Sequence, residues 1–301
     1  MTQLQQILPL LPEQDNFQKV STYANHVYIG ERFVLKIYDS VNEWDNTLRV
    51  YKLISEQELE APKIIASNPE PAPFILMTKL SGVPISEETT VENYESLGEW
   101  VGKLHNITFS KFGGLTEEGV GPFYEIQSGP FDSWKSMHLE LVKDRIKSFK
   151  GATLEALKDE ILNFFQSCSY SDFKPSLIHE DLNQKNIFVQ NGKISGVIDP
   201  DGGFAGCTEE ELMRIEVAHF VGREDLRDAF LRGYQRHHSL LEGYEQRRPL
   251  FRLSRTLVEV QCLVNHADYK ADHKEQAMNN AVDQILSIIR AHQKYRPARI
   301  P

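Results

Sequence analysis

A chain of 301 residues with 41% hydrophobic and 25% charged residues is ordinary globular material, long enough for two domains or one large one. Its formal net charge of −10 speaks against a general affinity for nucleic acid or an anionic membrane; it suits a cationic small partner, although a solvated acidic face gives the same number. The first residues lack the basic region of a secretory signal, no segment has the length of a bilayer span, and Cys168, Cys207 and Cys262 are dispersed as thiols of a reducing cytoplasm would be.

Residues 1–80 read as a small strand-rich unit. Val20 to Tyr28 suggests two strands around Ala24-Asn25, followed by a turn at Gly30-Glu31. Arg32 to Tyr38 is a strand with Phe33, Leu35 and Ile37 on one face and Lys36 on the other. A helix is predicted from about Val41 to Gln57, with Trp44, Leu48 and Tyr51 as its apolar stripe. Glu43, at its start, fits the capping pattern Ser40-x-x-Glu43. Phe74 to Met77 is a short apolar strand, and the polar break after it places a lobe boundary between 1–80 and 81–301.

The second part reads as mostly helical. Thr89-x-x-Glu92 caps a helix with the stripe Tyr94, Leu97, Val101 and Leu104, and further stripes run through Trp134 to Leu141 and Leu154 to Phe164. Thr208-x-x-Glu211 opens a later helix, followed by stripes at Leu226 to Tyr234, Leu250 to Val264 and Ala281 to His292. His105 stands apart from other metal-ligating residue types and reads as a packed residue.

Leu177 to Asp199 interrupts the helices with a loop and a hairpin. Asn191-Gly192 suits a two-residue turn that needs positive φ at both positions. With that turn, Val189 faces Ile194, counting back sets Asn186 opposite Val197, and alternation brings Asp199 to the face of Asn186. An amide and a carboxylate oxygen so placed suit magnesium, which takes few protein ligands and completes its shell with water and phosphates. Asp181, five residues before Asn186, is placed to accept a proton from an attacking hydroxyl.

This succession resembles the aminoglycoside phosphotransferase and choline kinase superfamily, whose catalytic loop reads His-Gly-Asp-x-x-x-x-Asn before a hairpin ending in Ile-Asp. Asp199-Pro200 is closer to the fructosamine-kinase branch. The resemblance implies an α+β, two-lobed protein-kinase-like fold. It has a small antiparallel β lobe with one helix and a larger, mostly helical lobe carrying the catalytic hairpin. It implies Mg2+ held by Asn186 and Asp199, ATP or GTP as co-substrate, Asp181 as base and His179 as the structural histidine of the loop. Lys36 takes the phosphate-binding position, with Glu43 its candidate partner, and Met77, Thr78, Lys79 and Leu80 the hinge that meets the base. Glu180 stands where the family has Gly, a position suited to a backbone that glycine adopts more easily. Glu211-Leu212-Met213 falls where the family has Asp-Leu-Ala, and helix capping accounts for Glu211.

The expected reaction moves a γ-phosphoryl group to a hydroxyl or amine of an aminoglycoside-like molecule, amino alcohol, ketosamine or sugar. Asp201, Glu209 and Glu216 are the acidic candidates for meeting a cationic acceptor. The expected chain is a cytoplasmic monomer or homodimer without nucleic-acid or membrane partners. Three rivals differ from it. A protein kinase would carry His-Arg-Asp, Asp-Phe-Gly and a glycine-rich loop, and none occurs. An inactive nucleotide-binding module is compatible with Glu180, and a metal-dependent hydrolase would draw on His179, Asp181 and Asp199.

Overall fold

Alternation in the first part of the chain builds one antiparallel sheet, seen in a computed structural model that describes residues 2–20, 25–266 and 269–294. After the short helix α1 (Gln3–Ile7) come β1 (Gln18–Val20), β2 (His26–Ile29), β3 (Phe33–Ile37), helix α2 (Val41–Glu56), β4 (Ile64–Asn68) and β5 (Phe74–Thr78). The strands join in the order β1-β2-β3-β5-β4. β1 and β2 pair antiparallel; β1 ends at Val20, where the expected first strand begins, and the rest of that expected strand through Ala24 lies outside the described residues. Phe33, Leu35 and Ile37 enter a core with Ile7, Phe74 and Leu76, so the opposite face of β3 carries Val34 and Lys36 into the interior between sheet and helices.

α2 begins at Ser40, whose Oγ accepts from the Glu43 amide at 3.5 Å. Its buried face is Thr47, Val50, Tyr51 and Ile54; the predicted stripe residues Trp44 and Leu48 are half-buried against the sheet. Val50 and Ile54 pack into the core of the helical part, beside Leu97 and Val101. The same helix therefore serves both parts of the molecule.

The larger part runs through β6 (Val83–Pro84), α3 (Val91–Leu104), β7 (Gly114–Thr116), β8 (Gly119–Gly121), α4 (Trp134–Lys147), α5 (Ala152–Ser167) and β9 (Ser176–Ile178). It continues with β10 (Ile187–Gln190), β11 (Lys193–Val197), β12 (Phe204–Gly206), α6 (Thr208–His219), α7 (Glu224–Tyr234), α8 (Tyr244–Asn265) and α9 (Lys274–Lys294). Tyr94, Leu97, Val101 and Leu104 are fully buried as predicted. The cap of α3 is one residue later than expected: Thr90 accepts from the Asn93 amide at 3.2 Å, while the Thr89 hydroxyl donates to the Ile85 carbonyl at 3.0 Å. Gly233 of α7 lies so close to α3 that a Cβ there would sit 1.9 Å from the Glu95 carbonyl oxygen. A side chain at that point would force the two helices apart.

β10 and β11 form the hairpin, with β6 on the outer side of β10. Asn191 and Gly192 have φ of +53° and +74°, and Val189 faces Ile194, as the turn requires. Beyond that pair the count slips by one. Phe188 pairs with Gly196 and Ile187 with Val197, leaving Ser195 as the extra residue of a bulge. The Asn186 carbonyl instead accepts from the Ile198 amide at 2.9 Å, so the expected Asn186–Val197 pairing is off by one. The extra residue has a partner outside the hairpin: the Ser195 hydroxyl donates to the Ser81 carbonyl at 2.6 Å. Asp199 is then turned by its own backbone, at φ +67°, and not by strand alternation.

Candidate active site

The loop from His179 to Lys185 has little secondary structure of its own, so its backbone groups need other partners. α6 supplies them from both ends. Glu211 Oε1 accepts from the amides of His179 and Glu180 at 2.7 and 2.8 Å, and its Oε2 meets His105 Nε2 at 2.9 Å. His105 Nδ1 contacts the Tyr234 hydroxyl at 2.9 Å. At the other end of α6, His219 Nε2 reaches the Leu182 carbonyl at 2.7 Å and Nδ1 the Tyr94 hydroxyl at 3.0 Å. Burial works to raise the Glu211 pKa, but the hydrogen bond and charge of His105 and the backbone donors hold it below the ordinary value. Capping is thus not what Glu211 does: α6 starts at Cys207 without a side-chain cap, and the carboxylate anchors the loop. His105 is packed, as its sequence context implied.

His179 is buried, and its Nδ1 accepts from the Asp181 amide at 3.3 Å, closing the turn around Glu180. Burial lowers the imidazole pKa, against the charges of Glu211, Asp181 and Asp199. Glu180 has φ +73°, so the loop does adopt the left-handed conformation that glycine takes freely. Its carboxylate is ion-paired with Arg214 of α6. Burial pushes the Glu180 pKa up to about 7, against the pull of Arg214 and with the push of Glu125.

Asp181 is half-buried. Its Oδ2 accepts from Asn186 Nδ2 at 2.8 Å and from Asn183 Nδ2 at 3.0 Å. Asn186 Nδ2 also reaches the Asp181 carbonyl at 3.0 Å, which leaves Asn186 Oδ1 as the atom for a cation. Lys36 is 8% exposed, and its ammonium pairs with both Asp199 and Asp201. Burial opposes its charge, but Asp201 and Asp199 outweigh this and hold its pKa above the ordinary lysine value. Asp201 is raised to about 6 by burial and by Asp199, against Lys36.

Three expectations need correction. Glu43 is exposed at the start of α2 and is not the partner of Lys36; the helix contributes through the two residues facing inward. Thr47 Oγ1 donates to Asp201 Oδ1 at 2.8 Å, and Asn46 Nδ2 donates to the carbonyls of Asp201 and Gly203 at 2.8 and 3.0 Å. Asp201, expected near the acceptor, sits instead beside Lys36. Glu209 is gripped by Arg247, at 2.9 Å from Nε and 2.5 Å from Nη2, and Glu216 is paired with Arg248 and Arg227. Neither is a vacant carboxylate for a cationic acceptor.

Lys36, Asn186, Asp199 and Asp201 line one end of a cavity of about 400 Å³ between sheet and hairpin. Its walls are Val27, Ile29 and Val34 on one side and Phe188 and Ile198 on the other, with Met77, Thr78, Lys79 and Leu80 along the edge. The amides of Thr78 and Lys79 already donate to the carbonyls of Lys63 and Arg32, at 2.9 and 2.8 Å. Hard oxygen donors in small number, an amide and a carboxylate, fit magnesium. Among the described residues no group of three or more His, Cys, Asp or Glu side chains is arranged to hold a metal.

The model of the phosphotransferase enzyme family matches residues 19–250. No curated protein matches the chain. Among solved structures, a thermostable mutant of aminoglycoside phosphotransferase APH(4)-Ia, in a ternary complex with AMP-PNP and hygromycin B, is 16% identical with a TM-score of 0.70, covering 97% of this chain and 99% of its own. A fructosamine-3-kinase homologue from Thermobifida fusca YX-ER1 is 18% identical with a TM-score of 0.66, covering 91% of this chain and 93% of its own. The streptomycin–ATP complex of APH(2″)-IIa is 16% identical with a TM-score of 0.65, covering 94% and 95%. The fold is that of the kinase-like aminoglycoside phosphotransferases. The chain belongs to the phosphotransferase enzyme family.

Proposed function

We propose that this chain transfers the γ-phosphoryl group of ATP or GTP to a hydroxyl or amine of a small molecule, in a magnesium-dependent reaction with Asp181 as the base. The observation that carries this reading is the convergence of Lys36, Asn186 and Asp199 on one cavity, with Asp181 bonded to Asn186 at its margin. The apolar walls suit a nucleobase between β2, β3 and the hairpin, with its edge toward Met77 to Leu80. Lys36, already held by two carboxylates, would exchange part of that contact for phosphate oxygens. Magnesium held by Asn186 Oδ1 and Asp199 would neutralise the charge of the β- and γ-phosphates. Asp181, kept in place by Asn183 and Asn186, orients the acceptor and takes its proton. His179 and Glu211 act at one remove, by fixing the loop.

The neighbours bound to AMP-PNP with hygromycin B and to ATP with streptomycin support a nucleotide and a small-molecule acceptor. We place the lobe boundary at residue 80, just after the last strand of the sheet. No described helix is long and apolar enough to cross a membrane, and we place the reaction in the cytoplasm, carried out by a monomer or homodimer. The alternative of an inactive nucleotide-binding module drew on Glu180; the pairing with Arg214 accommodates that residue and weakens the case. A nucleoside-diphosphate release screen over hydroxylated amines, sugars and sugar acids tests the proposal, with Asp181→Ala as control. Turnover in the parent and none in the variant is expected; equal rates in both would remove Asp181 from the mechanism.

A further inference from the structure

α2 meets the segment after the hairpin at close range. That segment turns at once, the Gly203 amide donating to the Pro200 carbonyl at 2.9 Å, and a Cβ at Gly203 would lie 2.8 Å from Val50 Cγ2 of the helix. Two neighbouring residues of α2 bond across this contact. Asn46 Nδ2 spans the carbonyls of Asp201 and Gly203, and the buried Thr47 hydroxyl donates to Asp201 Oδ1 at 2.8 Å. The Glu43 carbonyl, one turn earlier, is also 2.8 Å from that hydroxyl, but a carboxylate is the stronger acceptor. Asp201 Oδ2 accepts from Lys36 and, at 3.4 Å, from Asn25 Nδ2.

The two carboxylates on Lys36 are therefore held differently. The Asp201 side chain is 18% exposed and has donors on both oxygens, with a further one on its backbone carbonyl; the Asp199 side chain is 43% exposed. Magnesium keeps water and phosphate on most of its positions, which suits the exposed carboxylate and not the enclosed one. A lysine ammonium rides on a flexible four-carbon stem, so its place has to come from a partner that stays.

We propose that Asp201 is the positioning residue of Lys36, held against it by Thr47 and Asn46, with Asp199 left to hold magnesium. α2 then acts on the lysine through the segment after the hairpin and not through a carboxylate of its own: Glu43 is exposed, and the inward position one turn later is Thr47. The inference rests on the phosphotransfer reading of Lys36 and Asp199.

The test follows ADP release and nucleotide binding side by side on the full chain, for the parent, Asp201→Asn, Thr47→Val and Thr47→Ser. ADP release uses the acceptor found by the nucleoside-diphosphate screen, or water as acceptor; binding is titrated calorimetrically with AMP-PNP, with and without magnesium. Asp201→Asn and Thr47→Val should lower kcat by about tenfold or more, because a misplaced ammonium is felt in the transition state, while Mg–AMP-PNP affinity stays within about threefold. Thr47→Ser keeps the hydroxyl and should hold kcat near that of the parent. Unchanged kcat in Asp201→Asn would overturn the proposal, as would a loss in Thr47→Ser equal to that in Thr47→Val. So would a magnesium gain in binding that disappears in Asp201→Asn, which would make Asp201 a metal ligand. Should Asp201→Asn fail to fold, the two Thr47 variants decide. A parent without Mg–AMP-PNP binding or ADP release would strike the phosphotransferase reading itself, and this inference with it.

Discussion

On the sheet side of the hairpin, the cavity is walled mostly by apolar side chains, and its charges are Lys36, Asp199 and Asp201, with Lys79 along the edge. On the helical side, arginine–carboxylate contacts dominate, and Glu180, Glu211 and Arg214 tie the catalytic loop to α6. The first side needs strand alternation and one turn. The second needs groups far apart in the chain to meet in pairs, so a single change there strands a buried charge. The nucleotide side should therefore tolerate substitution in structure but not in rate, and the loop's anchors should behave in the opposite way.

The largest expected effect is on rate. Asp181→Asn should lower kcat by about 10²–10⁴-fold, with nucleotide affinity and thermal stability kept. Loss of stability in parallel would blur the distinction between the two sides. Glu211→Ala should cost about 3–5 kcal/mol in a urea titration, because it strands two amides and His105 in the interior. A loss below about 1 kcal/mol would deny Glu211 its anchoring part.

Glu180→Gly sets two terms against each other. Relief of the left-handed backbone returns about 1 kcal/mol, whereas Arg214 without its carboxylate costs several times as much. The variant should be less stable than the parent despite regaining the family's glycine; a more stable protein would mean the ion pair contributes nothing. Glu180 also makes a pH prediction. Its pKa rises from 4.5 to about 7 on folding, so between those values the folded chain keeps a proton that the unfolded chain has released. Its contribution therefore favours folding most below pH 4.5 and declines as pH rises to about 7. Denaturation midpoints across this range should fall less steeply for Glu180→Gln than for the parent, with Asp201 supplying part of the remaining slope. Smallest of all, Glu43→Ala should change stability by less than about 0.5 kcal/mol and leave Mg–ATP binding alone, since the Ser40 cap uses the Glu43 amide and not its carboxylate.

What could be read from the chain beforehand follows the same division. The face of Lys36, the turn at Asn191-Gly192 and the stripe of α3 are consequences of local periods, and each stands where that period puts it. Asn186 and Asp199 do meet in one cavity, but by a route that counting from the turn misses: a bulge at Ser195, whose hydroxyl bonds to Ser81, and a left-handed Asp199. Glu43 lies at the position where the resemblance puts the partner of Lys36, but the lysine pairs with Asp199 and Asp201, the latter 165 residues further along the chain. Glu211 had a sufficient local explanation in helix capping, and only the folded loop reveals its two amide donors. The arginines that occupy Glu209 and Glu216 are likewise invisible to periodicity, being on α8 and α7.

The most direct trial of the site is calorimetric titration of ATP, with and without magnesium, into the parent and Asp199→Asn. If Asn186 and Asp199 hold the metal against the phosphates, magnesium should tighten ATP binding to the parent. That gain should vanish in the variant while metal-free binding persists. An equal magnesium gain in both proteins would contradict the account.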